Sequence, residues 1–550
     1  MDSAAAIETR NRMSAMADAV VIGAGHNGLA CGCYLARAGL DVTVFEEYTS
    51  VGGMTLTEEL AAPGFRSDVH ASGYQLASLS PTPHELNLFD HGLELIEPEY
   101  AWAHAFPGGG CIAIGSNLER ARESIARYSA RDADTAVELF RRYGTERDQV
   151  VRSLFSPPEP LSTAIHRMED APGGLDRYRF SLQSVRSWCD ETFESDEAKC
   201  LFAAFAPFVG HGPDDAAGAE ISWLFASVLQ TDGNKLVRGG MHHVSLALAA
   251  ELESLGGTIR TGTAVDRIEV EAGRARAVVL EGGERAPVGS LVAASVDPVQ
   301  LALRLLGEGV IGSDAAERAS KIEWGEAVLL IYAALDGAVE YAAGPEAGAA
   351  AHVHLSAASL DAMARATDEC RAGKLPAAPV IVSWNDSVVD PGRAPAGKHL
   401  KKFVVLGVPY EIEGDATERV GVGGWDEVRD RYADYLIDLI SDSYLPELRN
   451  RLMARAVHSP LDIERKLSSA VRGTIPHAAM VPYQSGAMRP TPDFAGYRSP
   501  VENVYLCGSG SYPGAGVSMA PGRNAAQVIC ADLGVDFDAL AARAQSSPGR

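Results

Sequence analysis

Several kinds of chemistry are missing from this 550-residue chain. Its eight cysteines (Cys31, Cys33, Cys111, Cys189, Cys200, Cys370, Cys507 and Cys530) include no C-x-x-C pair and no metal-finger spacing. That pattern excludes a dithiol redox centre and a zinc module. Cys31 and Cys33 lie two apart in a helical stretch and so point to different sides. Buried free thiols in a reducing compartment are expected, which places the protein in the cytoplasm. The 14 histidines contain no H-x-x-x-H or H-E-x-x-H arrangement, so no metal is expected. Positive charge is scarce, with 48 Lys and Arg against 73 Asp and Glu, a formal net charge of −25. No basic stripe exists to displace the counterions of a nucleic acid, and docking on anionic lipid by charge alone is disfavoured. No run of 18 apolar residues occurs, so membrane contact is at most peripheral, through an apolar patch. Residues 1–18 mix Arg10 and Arg12 with Asp2, Glu8 and Asp18 and have no apolar signal region; they read as a disordered tail.

What is present begins at residues 19–46, AVVIGAGHNGLACGCYLARAGLDVTVFE. A short apolar run with two valines reads as a buried strand, and Gly23, Gly25 and Gly28 form G-x-G-x-x-G where the periodicity changes. Residues 26–37 follow helical spacing, with Leu29, Cys33 and Ala36 on one face. Gly39 ends the helix, and residues 41–45 form a second strand that delivers Glu46. This is the βαβ unit of a dinucleotide site. Gly23 permits the tight turn, Gly25 lets backbone approach a pyrophosphate, and Gly28 lets helix and strand pack closely. The helix start at His26 and Asn27 offers unpaired N–H groups to two phosphates. Glu46 can accept from a ribose diol and would repel a 2′-phosphate. Gly52 and Gly53 provide a further close approach of backbone.

The length predicts two or three domains with room for a large cofactor. Residues 19–80 form the first segment of the dinucleotide domain. Residues 81–230 read as a largely helical cap, with amphipathic stretches at 117–128, 131–154 and 191–206. Within it, the apolar segment 221–229 reads as core first, and as pocket wall or membrane-touching surface otherwise. Residues 231–300 return to α/β, with a helix at 243–255 and strands near 263–270, 275–280 and 290–294. Residues 301–480 mix strands (327–335, 379–384, 399–409) with a helix at 425–440 and read as a substrate domain. Residues 481–550 bring a strand ending on Gly508 and a second glycine-rich turn, 514–518, that opens the last helix. Gly108-Gly109-Gly110 is spaced wrongly for a second fingerprint, so a separate NAD(P)H domain is not expected.

With both ends in view, the chain resembles the phytoene desaturase-like flavoproteins of the glutathione-reductase-like FAD superfamily, which includes the amine oxidases. It is most similar to the branch called pyridine nucleotide-disulphide oxidoreductase domain-containing protein 2. The resemblance rests on GAGHNGL at 23–29, LARAG at 35–39, VGG at 51–53, PGF at 63–65 and GGM at 239–241. It continues with DP-x-x-AP-x-GKH at 390–399, RP at 489–490, YR-x-P at 497–500, VYLCGS at 504–509 and PG-x-GV at 513–517. It implies an α/β fold with a Rossmann-type FAD domain, discontinuous in sequence, beside a mixed sheet-and-helix substrate domain and a helical region. It also implies that Val265 meets the adenine through its backbone, and that Gly508 and Ser509 lie near the pyrophosphate and ribityl chain. Gly516, Val517, Ser518 and Met519 then face the isoalloxazine. Ser518-Met519-Ala520 departs from the usual glycine or proline there, so Met519 is expected to alter the flavin face.

The expected activity is an FAD-dependent dehydrogenase, desaturase or oxidase that takes hydride from a largely apolar small molecule, isoprenoid or carotenoid-like, onto flavin N5. O2 or a quinone-like compound would be the acceptor. An amine or alcohol oxidase, and an FAD-bound protein that acts only as an interaction partner, are the rival readings. His70, His211 and His477 are candidates for proton handling, with Tyr483 and Gln484 as polar lining. For His70 a hydrogen-bonded structural role weighs equally, and His242 and His243 at a helix start read as structural. Oligomeric state is left open.

Overall fold

A computed structural model describes residues 17–355 and 358–542. The expected tail therefore lies mostly outside the described residues, and at its end Ala17 and Asp18 already belong to the first strand, Ala17–Ile22.

Two seven-stranded sheets dominate. In the first, Ala17–Ile22 lies parallel to Val42–Phe45 on one side and to Arg285–Ala294 on the other. Thr258–Arg260 extends the sheet beyond Val42–Phe45, and Val504–Leu506 pairs in parallel with Arg285–Ala294. Val265–Glu271 and Arg274–Leu280 add an antiparallel meander. The parallel strands are near-continuous apolar runs because both faces are covered. The helices His26–Arg37, His242–Ser254 and Ala520–Asp532 share one core cluster with Ala19, Val21, Val42, Val44 and Leu291. Within that core Cys33 Sγ donates to the Leu248 carbonyl, and all eight cysteines are unpaired and buried. Residues 482 positions apart meet where Asn27 Nδ2 donates to Ser509 Oγ at 3.2 Å.

The second sheet runs Leu452–His458, Ala327–Leu335, His399–Val408, Val380–Trp384, Ala350–Leu355, Tyr100–Ala105, Cys111–Ile114. Its last two strands come from the segment 81–230, an addition to the largely helical reading. That segment contributes a hairpin closed by the Gly108–Gly110 turn, where all three glycines have positive φ. The period-2 alternation divides the sheet cleanly. Leu329, Ile331, Ala333, Phe403 and Val405 face the helix Trp425–Ser443. Leu330, Tyr332, Val404, Trp384 and Trp102 face the helical block with Phe205 and Phe225. The amphipathic stretch at 191–206 takes in the end of helix Val185–Thr192 and all of Asp196–Ala203, parted by the Ser195 cap. The apolar segment at 221–229 lies in helix Gly218–Thr231 and is core, with Trp223 buried at its centre.

Candidate functional site

In the first sheet, Ile22 registers with Phe45 and with Ala294, and Ala294 with Leu506. Four strands thus end level. Their backbone ladder runs one residue further: Gly23 N donates to Phe45 O, Ser295 N to Ile22 O and Cys507 N to Ala294 O, all at 2.7–2.8 Å. The loops that follow must diverge, and a cleft opens at the carboxyl ends of the strands, where open α/β sheets bind ligands. The cleft measures about 340 Å³. Gly23, Gly25, His26, Asn27, Glu46, Gly53, Val265, Ser509 and His477 line it, together with Arg304 and Lys466.

The three glycines do different work. Gly23 has φ +95°, which favours glycine. A Cβ on Gly28 would lie 2.1 Å from the Gly23 carbonyl oxygen, so the helix can approach the turn only with glycine there. A Cβ on Gly25 would meet no protein atom within 4 Å and would project into the cleft. Gly52 pairs with Gly25 in an isolated parallel bridge and donates to Ala24 O at 2.9 Å, and Gly53 packs on Gly25 Cα. Gly508 sits too close to Ser295 and Val296 for a side chain to enter freely.

Glu46 is held by Ala24 N to Oε2 at 2.6 Å and Tyr48 N to Oε1 at 2.8 Å. Burial raises its pKa, and those two amides pull it back. Each carboxylate oxygen retains a free acceptor direction toward the cleft. Burial pushes His26 down to about 4, against a hydrogen bond to the Gly516 backbone that raises it. That bond carries the cleft toward the 514–518 turn. Gly516 itself abuts Leu76, Ser518 O accepts from Ser80 Oγ at 2.6 Å, and Val517 is buried. Met519 departs from expectation. It caps the last helix in the left-handed region and its side chain is fully buried in the core of the first sheet domain, so the thioether does not line the cleft.

The three candidate histidines do not form one group. His477 lines the cleft, buried, with its pKa lowered to about 4 by burial and by nearby His26 and Arg489. His211 Nε2 is bound to the Met480 carbonyl at 3.0 Å, away from the cleft. His70 lies under the second sheet's inner face, where burial and Lys402 hold its imidazole neutral. Tyr483 is 64% exposed and bonds Glu323, so it lines nothing; Gln484 is buried and braces Glu323 and Ala479 by backbone contacts. His242 bonds Val51 O and Ser50, a structural placement.

Two contributions were not read from the sequence. Residues 465–470, assigned to the substrate domain, lie along the cleft, and Lys466 bonds Tyr48 and Glu58 there. Arg489 is 1% exposed and donates to five carbonyls, those of Pro476, Ala478, Ala479, Ser509 and Ser511, at 2.9–3.3 Å. A single buried cation thereby fixes both the His477 loop and the Ser509 turn. Only the Arg-Pro pair at 489–490, cis in the structure, marked it in the sequence.

The residues fit a dinucleotide. The backbone at Gly25 is bare, Asn27 Oδ1 and His26 Nε2 are buried on the cleft with no hydrogen-bond partner among the described residues, and an acid stands at the end of the second strand. The fold and cleft define a flavin-binding oxidoreductase. The model of the flavin containing amine oxidoreductase family matches residues 28–530, and the chain belongs to that family. It is 29% identical to pyridine nucleotide-disulfide oxidoreductase domain-containing protein 2 of Rattus norvegicus, over 94% of each chain. It is 26% identical to a limonene dehydrogenase polypeptide of Castellaniella defragrans, over 94% of this chain and 95% of that one. The similarity extends to carotenoid desaturases. Among solved structures, putrescine oxidase bound to putrescine superposes with a TM-score of 0.58 at 16% identity, covering 94% of this chain and 99% of that one. The cofactor is FAD, and the chain is an FAD-dependent oxidoreductase related to desaturases and oxidases.

Proposed function

We propose that the enzyme takes hydride from a largely apolar small molecule, isoprenoid or carotenoid-like, and that O2 or a quinone-like compound accepts the electrons. FAD, when bound, supplies the hydride acceptor at N5. Gly23, Gly25, His26, Asn27, Gly28, Glu46, Gly52 and Gly53 hold its pyrophosphate and ribose end, with Val265, Gly508 and Ser509; Gly516, Val517 and Ser518 face its ring. One observation carries the substrate class. Leu76, Met480, Phe208, Ile221 and Leu224 stay partly exposed although they pack on the aromatic core. Leu76 abuts Gly516, and Met480 Sδ lies 3.1 Å from where a Cβ on Gly514 would be. Apolar side chains left partly wet, two of them beside the 514–516 turn, are what an apolar substrate would cover. The limonene dehydrogenase and desaturase relatives favour the same class.

Proton handling falls to His477, the one candidate histidine on the cleft, and to His70, whose ring nitrogens have no hydrogen-bond partner among the described residues. Both are neutral at pH 7, the state in which an imidazole accepts a proton. Cytoplasmic residence suits eight buried, unpaired thiols. No helix among the described residues is long and apolar enough to cross a membrane. Peripheral contact is favoured by Leu161, Ile165, Leu175, Tyr178 and Leu182, all at least 40% exposed on the adjacent helices Leu161–Asp170 and Gly174–Leu182. The test is anaerobic mixing of the purified flavoprotein with terpenes, polyenes, alcohols and amines. Bleaching by a terpene or polyene supports the proposal. Failure of every such compound would leave the FAD-bound interaction protein as the better account.

A further inference from the structure

Part of the cofactor cleft's wall comes from outside the first sheet. Residues 465–470, at the end of helix Pro460–Lys466, line it together with Gly23, Gly25 and Ser509. Sheet order fixes where this segment runs. Arg285–Ala294 and Val42–Phe45 flank Ala17–Ile22, whose carboxyl end carries the turn at Gly23 to Gly25. The loop after Val42–Phe45 holds Glu47 and Tyr48, and the π-helix Gln300–Leu306 follows Arg285–Ala294. The segment bonds to both of these sides, so it crosses over the glycine turn between them.

On one side Lys466 Nζ donates to the Tyr48 hydroxyl and to Glu58 Oε2, both at 2.9 Å, and lies 4.9 Å from the Tyr48 ring centroid. Ser468 Oγ donates to Glu47 Oε2 at 2.8 Å. On the other side a single amide makes two bonds. Gln300 Nε2 donates to the Ser468 carbonyl at 2.5 Å, and Gln300 Oε1 accepts from Ser469 Oγ at 3.0 Å. All of these partners are protein groups, so the crossing needs no ligand to hold it.

The segment's roots are firmer than its middle. Ile463 and Ala470 are buried in the core of the helical block. A Cβ on Gly473 would lie 2.5 Å from Pro460 Cα, so the chain enters and leaves at nearly one place. Between the roots, Arg465 is exposed and residues 466–469 are partly so. They are held by the bonds above, by the Arg465–Asp426 pair and by the packing of Leu467. A mainly polar crossing between buried roots can open without unfolding the domain.

Resting on the placement of FAD proposed above, we infer that residues 465–469 form a latch over the cofactor's diphosphate and ribose, which must lift for FAD to enter or leave. Gln300 and Lys466 are its two fastenings and act as positioning residues. The latch also brings the cation Lys466 to a cleft whose own loops supply the acids Glu46 and Glu47, a charge that suits a diphosphate. The glycine turn sets where the cofactor lies; the substrate domain sets how long it stays.

The test measures exchange in both directions with the full chain. Release from the holoprotein is read as fluorescence of freed flavin after dilution, and uptake as binding of FAD by the deflavinated protein. Gln300→Met removes both bonds on one side, so release and uptake should each quicken about tenfold. Ser469→Ala removes one bond and should quicken each about threefold, and it carries the same test should Gln300→Met fail to fold. A residue that merely touches FAD would speed release and leave uptake unchanged or slower. Far-UV circular dichroism of each holoprotein checks its fold. Unchanged rates in folded variants, or faster release with slower uptake, would overturn the latch and leave the cofactor's placement intact. A yellow, fully loaded Gly25→Val would overturn the placement and the latch together.

Discussion

The cofactor cleft and a row of side chains on the second sheet are both buried and both polar, yet they are built on opposite plans. The cleft is mainly backbone: glycines at 23, 25, 28, 52, 53 and 508 clear space or permit turns, and four strands end level at its floor. The row is all side chain, with Trp102, His352, Trp384, Lys402 and Tyr332 projecting from five strands. A backbone site tolerates almost no added atom, because every contact is fixed by the main chain. The difference separates a cleft kept open by missing side chains from a core filled by large ones.

The comparison breaks hardest at two glycines three residues apart. Gly28→Val places atoms against the Gly23 carbonyl and should cost more than about 3 kcal/mol, seen as loss of soluble, folded protein. Gly25→Val, facing open cleft, should leave folding of the apoprotein within about 1 kcal/mol while yielding colourless protein. A yellow, fully loaded Gly25→Val would show that this turn does not meet the pyrophosphate. Between these lies Arg489→Met, which strands five buried carbonyls. A loss of about 3 kcal/mol in unfolding free energy, with weaker FAD retention, is expected in denaturant titrations.

A third prediction sharpens the side-chain half of the comparison through pH. Burial holds His26, His458 and His477 down to about 4 and His104 to about 3, and holds His70, His352 and His354 well below their ordinary value of 6.5. Between pH 6.5 and 4 the unfolded chain binds protons at these sites that the folded chain does not, so stability is complete above 6.5 and lost as pH falls. Asp297 and Glu326, raised to about 7 by burial, and Asp386, raised to about 6, act in the opposite sense but are fewer. Melting temperature of the holoprotein should fall steadily from pH 6.5 to 4.5; a flat profile would contradict the neutral-imidazole account.

The smallest effect concerns the helices outside both regions. Leu175→Ser with Leu182→Ser should reduce co-flotation with phosphatidylcholine vesicles several-fold while shifting stability by less than about 0.5 kcal/mol. Unchanged flotation would assign those leucines no role at a lipid surface.

The same contrast explains what could be read from the chain beforehand. The first βαβ unit was legible, helix His26–Arg37 to the residue and its strands to within two, because a glycine triplet at fixed spacing between two apolar strands leaves one geometry. Ala327–Leu335 was equally plain, since nine consecutive apolar residues fit only a strand buried on both faces. The hairpin at 100–114 was not, because its alternating Trp102 and His104 look unremarkable until the Ala350–Leu355 strand pairs with them. Residues 465–470 reach the cleft hundreds of positions from the fingerprint, where Lys466 bonds Tyr48, and local pattern carries no trace of that. The Lys402 row is the extreme case: its members span 300 residues and are united only by register.

The most direct measurement is anaerobic mixing of the yellow, full-length protein with a terpene or polyene, following flavin absorbance and, in parallel, FAD content of Gly25→Val. Bleaching of the flavin and a colourless Gly25→Val are predicted. A flavin that no such compound bleaches, or a Gly25→Val that keeps its full complement of FAD, would contradict the proposal that the cleft holds an FAD that oxidises an apolar substrate.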